Sequence, residues 1–452
     1  MPSVELSEDV VNKFIEAACV DLHGWHGGGT LEQADAILTK HPGVAKENIY
    51  CAAVLGNENA MREWLARDNT LASAKGGLHG WDALTYLCFS RYLRIDKDRS
   101  ESFALCARML LESGAGANTG WMNEFDEPSK PFVETAIYGA AAIAQSAAVA
   151  EVLLDYGADP NDGETPYHIG ETYDNEVLKI LLRTGRFNER SLATVAMRKC
   201  DWHDDAGLLL VLEHGANPNY LSAWKHTPLH QSVSRDNGLV MIEHLLDHGA
   251  DPFVTNMVDE RNAFQMAAYH GRGDVLDAFE RRGFKFEFKD MDAVVAACAR
   301  GEKDTAQAVL KGAPELRESF LAMGGALLAR FSGPGNDAGV RTLLALRISP
   351  NALWDTGDGY WDLAPGSTAL HVAAWRANHE VVRTLISAGT GVHACDARNR
   401  TAMQLAVKAC TDSYWKYRRK PDSVAALLAA GATAHGIDLP TGYEEIDRLL
   451  MA

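Results

Sequence analysis

Residues 226–253 read HTPLHQSVSRDNGLVMIEHLLDHGADPF, and the order of residue types in that stretch decides the fold. Thr227 stands where a hydroxyl can cap the first free amides of a helix. Pro228 follows at the first helical turn, where no amide donor is needed. A second apolar run ends in Leu245 and Leu246, and Gly249 then supplies a left-handed stop. The stretch therefore predicts a helix, a turn, a second helix and a glycine. One such unit cannot bury its own apolar side, whereas a stack of them can.

Working outward, the closing phrase recurs as LLESGAGAN at 110–118, LLDYGADPN at 153–161 and VLEHGANPN at 211–219. Weaker copies begin at Leu181, Leu343, Leu385 and Leu427. Its glycine falls at 114, 157, 185, 215, 249, 283, 312, 389 and 431, and Arg347 holds the place between 312 and 389. The mean step is about 35 residues, against about 33 for an ankyrin unit. The opening phrase recurs as ETPYHIG at 164–170 and STALHVAAW at 367–375. With HTPLHQSV these fit the T-P-L-H-x-A pattern, so the chain resembles the ankyrin-repeat family, in a bacterial-type, multi-repeat form with long inter-repeat insertions. The resemblance implies an all-α solenoid of about twelve helix-turn-helix units with short β-hairpin fingers. It is strongest from Gly114 to Ala432, and weaker at 1–110 and 272–330. We expect degenerate N-terminal capping repeats at 1–110, an array with insertions at 111–435 and a C-terminal cap at 436–452.

Composition narrows the function. The 452 residues carry a formal net charge of −18, which argues against nucleic acid and anionic membrane surfaces as partners. Eight cysteines include no C-x-x-C pair, no apolar run is long enough to span a membrane, and the first residues do not read as a signal peptide. A cytoplasmic setting with buried thiols is expected, and no cofactor or metal site is written in the sequence.

Insertions break the regular spacing. Finger insertions occupy 119–131, 220–225 and 352–367, and helix-turn insertions occupy 90–102, 200–205 and 411–421. Trp81, Trp121, Trp224, Trp354 and Trp361 all fall in fingers, half of the ten tryptophans, and Trp202 and Trp415 fall in the other inserts. Exposed tryptophan is costly unless packed or bound, so the fingers are expected either to present these rings or to fold back over them. Positions that the resemblance makes partner-facing hold His79, Trp81, Tyr173, Trp224, His226, Arg235, Arg261, Tyr269, Trp375 and Arg376. To these the inserts add Trp121, Trp354, Trp361, Tyr414 and Trp415 as binding candidates. Aromatic and Arg residues dominate interface hot spots.

Two functional readings follow. The first is a binding module that recognises a protein, small ligand or glycan through its concave groove and Trp-rich fingers. The second is a glycoside-type hydrolase or related acid/base enzyme on the same scaffold, because glycoside hydrolysis needs two carboxylates flanking a bond. Its candidates are Asp162 and Glu164 on one wall with Glu134 or Asp259 on another, or the cluster Asp201, His203 and Asp204 within CDWHDD. His168, His230 and His371 hold the His of the repeat pattern and are expected to bond backbone. The glycine-rich LHGWHGGG at 22–29 reads as a flexible connector rather than a phosphate loop or a metal site. SRYLR and DSYWKYRR place Arg and aromatic side chains together, a combination that suits a carboxylate, phosphate or sugar.

Overall fold

A computed structural model describes residues 7–24, 26–125, 130–412 and 415–451. The described chain forms two compact units, residues 1–222 and 223–452.

Six helix pairs make up the first unit: Glu8–Ala18 with Glu32–Lys40, Ile49–Val54 with Glu58–Arg67, and Ala83–Cys88 with Ser100–Glu112. The next three are Ala136–Tyr138 with Ala147–Asp155, Glu164–His168 with Glu176–Arg183, and Glu189–Asp201 with Asp205–Glu213. Six more make up the second unit: Pro228–Ser234 with Leu239–Asp247, Ala263–Tyr269 with Gly273–Arg281, and Asp290–Ala299 with Lys303–Gly312. The last three are Gly324–Ser332 with Asp337–Ala345, Ala369–Trp375 with His379–Ser387, and Ala402–Asp412 with Asp422–Ala429. The twelve expected units are thus present, and a helix at Glu444–Met451 follows them.

The local chemistry explains these pairs. Thr227 and Thr368 each form a capping box with the histidine three residues on. Asn262 does the same with Gln265. After the second helix, the glycines at 114, 157, 185, 215, 249, 283, 389 and 431 all have positive φ, and Arg347 takes the same conformation at φ 77°. Gly312 is the exception, because it ends its helix as an ordinary helical residue. The core is the paired leucines and small inner-helix residues, with Leu153, Leu245, Leu385 and Leu427 fully buried. None of the eight cysteines is in a disulfide; seven are buried, and Cys395 is exposed. Among the described residues no helix is long and apolar enough to cross a membrane.

Two fingers carry short hairpins. Strand β1 (Gly120–Asn123) pairs antiparallel with β2 (Phe132–Thr135), placing Trp121 opposite Glu134. Alternation along these strands turns Trp121, Asn123 and Glu134 inward, while Met122 and Val133 face water. Strand β3 (Leu353–Trp354) pairs with β4 (Ser367–Thr368).

Candidate functional site

A cleft of about 810 Å³ opens in the first unit. Its walls come from the glycine-rich loop after the first helix, the β1–β2 finger, the fourth and fifth inner helices, and the insert at 90–102. The fourth inner helix ends in a π-helical turn at Gly139–Ile143. Such a turn holds one extra residue and is frequent at functional sites. Here it turns out the carbonyls of Ala144 and Gln145, both of which accept from Lys97 Nζ.

Glu134 is buried at the cleft. Its Oε1 meets Asn123 Nδ2 at 3.0 Å and His26 Nε2 at 3.2 Å, whereas its buried Oε2 has no partner among the described residues. His26 Nδ1 donates to the Asp21 carbonyl at 2.6 Å, which fixes the ring. Tyr138 lies between the two histidines of the cleft, 6.3 Å from His26 and 5.4 Å from His168 by ring centres. Burial pushes its phenol well up, and the carboxylates of Glu134, Glu164, Glu171 and Asp162 push it further.

His168 is the departure from the repeat pattern. His230 Nδ1 bonds Thr227, and His371 Nδ1 bonds Thr368 while its Nε2 reaches the carbonyls of Ala394 and Arg400. Those two rings are structural, as the sequence suggests. In the fifth pair Asp162 supplies the cap, bonding the Thr165 amide at 2.7 Å and its hydroxyl at 3.0 Å. His168 is thereby released to face the cleft, where Nε2 meets Glu164 at 3.3 Å and Nδ1 meets Glu171 at 3.0 Å. Burial alone lowers its pKa, but the two carboxylate hydrogen bonds outweigh that and hold it at about 9. It is therefore an imidazolium at neutral pH. Glu171 also pairs with Arg198, whose guanidinium lies 4.2 Å from the Tyr167 ring centre.

The cations of the cleft are committed within the chain. Arg94 donates to the carbonyls of Gly27, Gly28 and Gly29. The expected flexible connector is therefore a clamped wall; its Trp25 lies outside the described residues. Arg91 pairs with Asp21 at 2.6 Å, and the Tyr92 hydroxyl donates to Asp35 at 2.6 Å.

Comparison with known families bears on the scaffold. The ankyrin repeat profile matches residues 224–257 and 365–397, the two segments with Thr–His capping boxes. This chain carries ankyrin repeats. Similar solved structures are the ankyrin repeat domain of human ASB11, at 19% identity over 52% of this chain and 96% of that one, with TM-score 0.24. Another is the ankyrin repeat domain of Bcl-3, described as a unique member of the IkappaB protein family, at 19% identity over 59% of this chain and all (100%) of that one, with TM-score 0.26. At those scores the two add nothing to the assignment, which rests on the matched segments and the repeat geometry.

The ankyrin fingers place the other candidates. Trp81, Trp121, Trp354, Trp361 and Trp415 are buried, so they are not presented anchors. Trp81 stacks on Trp121 with ring centres 5.4 Å apart, and Trp361 lies 5.2 Å from Trp415. The fingers fold back because burying these large rings outweighs ordering the loop. Arg376 is also buried, sandwiched 3.7 Å from the Trp361 ring centre and 4.0 Å from that of Trp415. Tyr269 is buried and bonds Asp292. His79, His226, Arg235, Arg261 and Trp375 are half-buried, with His79 against Trp81 and Arg235 over Tyr360. Trp224 and Tyr173 are exposed, and Tyr414 lies outside the described residues.

The ankyrin carboxylates divide similarly. Glu134 and Glu164 share the cleft. Asp162 does not line it; burial raises its carboxyl to about 6 while the Thr135 and Thr165 hydrogen bonds oppose the rise. Asp259 is exposed in the second unit, paired with Arg261 at 3.1 Å. The CDWHDD cluster is not an open acidic site. Asp201 pairs with Arg198, and Asp204 both caps the next helix and pairs with the fully buried Lys199 at 2.8 Å. Sequence reading missed His26, Tyr138, His168 and Glu171 as a group. The one available signal was ETPYH, where Glu164 and Asp162 replace the usual neighbours of the capping threonine. Among the described residues no group of three or more His, Cys, Asp or Glu is arranged to hold a metal ion.

Proposed function

We propose that the chain is a binding module whose first-unit cleft takes an N–H-rich side chain, lysine or arginine, from a protein partner. One observation supports the reading: Glu134 keeps a buried carboxylate oxygen without a donor among the described residues. Such an oxygen is stabilised by a donor brought from outside. The cleft cations Arg94 and Lys97 are committed to backbone carbonyls, and His168 to carboxylates, so little positive charge is left for an acidic ligand. Ankyrin repeats are interaction modules, and exposed Tyr173 adjoins the cleft residue Thr172 as an aromatic anchor. The charge of −18 steers basic partners and counts against nucleic acid and anionic membranes. Cysteines outside any disulfide fit a cytoplasmic setting.

The test is a peptide array probed with wild type and Glu134→Gln. Wild type should select peptides centred on Lys or Arg, and the variant should bind them at least tenfold more weakly, about 1.4 kcal/mol. Selection of acidic or purely apolar peptides, or equal binding by the variant, defeats the reading.

A second reading, acid/base catalysis on a glycan, is favoured by one observation. Two carboxylate–imidazole groupings, His26–Glu134 and Glu164–His168–Glu171, face one cleft. Turnover of fluorogenic glycosides that is lost in both Glu134→Gln and Glu164→Gln would replace the first reading with this one.

A further inference from the structure

The second unit holds a smaller pocket, about 120 Å³, where the β3–β4 finger folds onto the inner helices. Trp354 and Trp361 wall it, and Arg330, His270 and Arg376 line it. An acidic chain thus gathers arginines at one place. Arg376 pairs with Asp236 at 2.8 Å, Arg272 with Asp274 at 2.8 Å and Arg261 with Asp259, while Arg235 lies 3.5 Å from the Tyr360 ring centre. Arg330 has no hydrogen-bond or ion-pair partner among the described residues, although it is half-buried. Arg376 is 1% exposed, and its Nε–H also lacks a partner. His270 has no side-chain partner among the described residues. Burial first, then Arg330, Arg272, Arg261 and Arg235, push its pKa well below the usual value, so the ring is neutral. Two carboxylates reach the pocket: Asp236 Oδ2 accepts from Arg376 while its buried Oδ1 has no partner among the described residues, and Asp358 Oδ1 accepts from the backbone amides of Tyr360 at 3.0 Å and Trp361 at 3.4 Å.

A desolvated guanidinium beside other cations is unfavourable unless an anion neutralises it. The planar fork of Arg330 offers paired donors, and the Arg376 Nε–H and the neutral imidazole offer single ones. We propose that this pocket is a binding site for a small oxyanion, a carboxylate or a phosphate group, held by Arg330 with His270 and Arg376. Its volume suits one such group rather than a polymer. The site is separate from the Glu134 cleft and does not depend on the reading of that cleft.

The experiment is thermal melting and calorimetry of the full chain with sodium phosphate, acetate or succinate, each matched in ionic strength by sodium chloride. Phosphate or one of the carboxylates should raise the melting temperature saturably by a few degrees above the chloride control. Arg330→Gln should remove that shift while melting, without added anion, no lower than wild type, because it deletes a repulsive charge. A response to phosphate alone assigns a phosphoryl group, and a response to acetate or succinate alone assigns a carboxylate. The proposal is overturned if chloride matches every anion, or if Arg330→Gln responds like wild type. Should Arg330→Gln not fold, Arg330→Lys decides: the lost fork predicts at least fivefold weaker anion binding, and unchanged affinity overturns the assignment.

Discussion

One residue type shows how neighbours set chemistry. His168, His230 and His371 share a sequence position, yet His230 is pushed down to about 4, mainly by burial, and His168 is held at about 9. Asp162 takes over the threonine cap in the fifth pair, and two glutamates then claim the freed ring. A group raised on folding stabilises fully below its unfolded value and loses that contribution as pH climbs through its folded value. For His168 the window runs from 6.5 to about 9. Unfolding free energy, followed by urea titration across that window, should fall by about 1–3 kcal/mol in wild type. His168→Gln should be flat there; an equal slope in both proteins would place the proton elsewhere.

Fingers are the elements that convert a regular stack into a site. Register places Trp121 opposite Glu134, so one face of the β1–β2 hairpin supplies both a packing ring and the buried carboxylate. Gly120 makes this possible, since a Cβ there would sit 2.2 Å from the Glu134 carbonyl oxygen, which is backbone and cannot swing away. Gly120→Ala is therefore expected to push the strands apart and destabilise the chain by about 1–3 kcal/mol. The same change should weaken binding at the cleft, because Glu134 moves with its strand. A variant with wild-type melting and wild-type peptide affinity would show that the hairpin tolerates the methyl group.

At the scale of the whole molecule, stability is a sum of neighbouring contacts. In the eighth pair Phe264 is buried among Phe253, Phe279 and Phe286, with ring centres 5.3, 4.8 and 5.2 Å away. Phe264→Ala should cost about 3–5 kcal/mol locally. Amide exchange should then rise in the seventh to ninth pairs and stay unchanged in the first to fifth. A uniform rise across all pairs would mean that the chain unfolds as one cooperative block.

Repeat spacing, capping threonines and terminal glycines were enough to determine the helix pairs and their number, because each of those signals acts within a few residues of itself. Even Arg347, standing in a glycine position, adopts the left-handed turn that the spacing demands. Which aromatic rings are hidden, which histidine is charged and where carboxylates converge were decided only by tertiary structure. Those properties depend on loops packing against units tens of residues away, as when His26 meets Glu134 or Arg376 meets Asp236. Burial, and the partner found there, set the charge and reach of such side chains, and no local pattern encodes either.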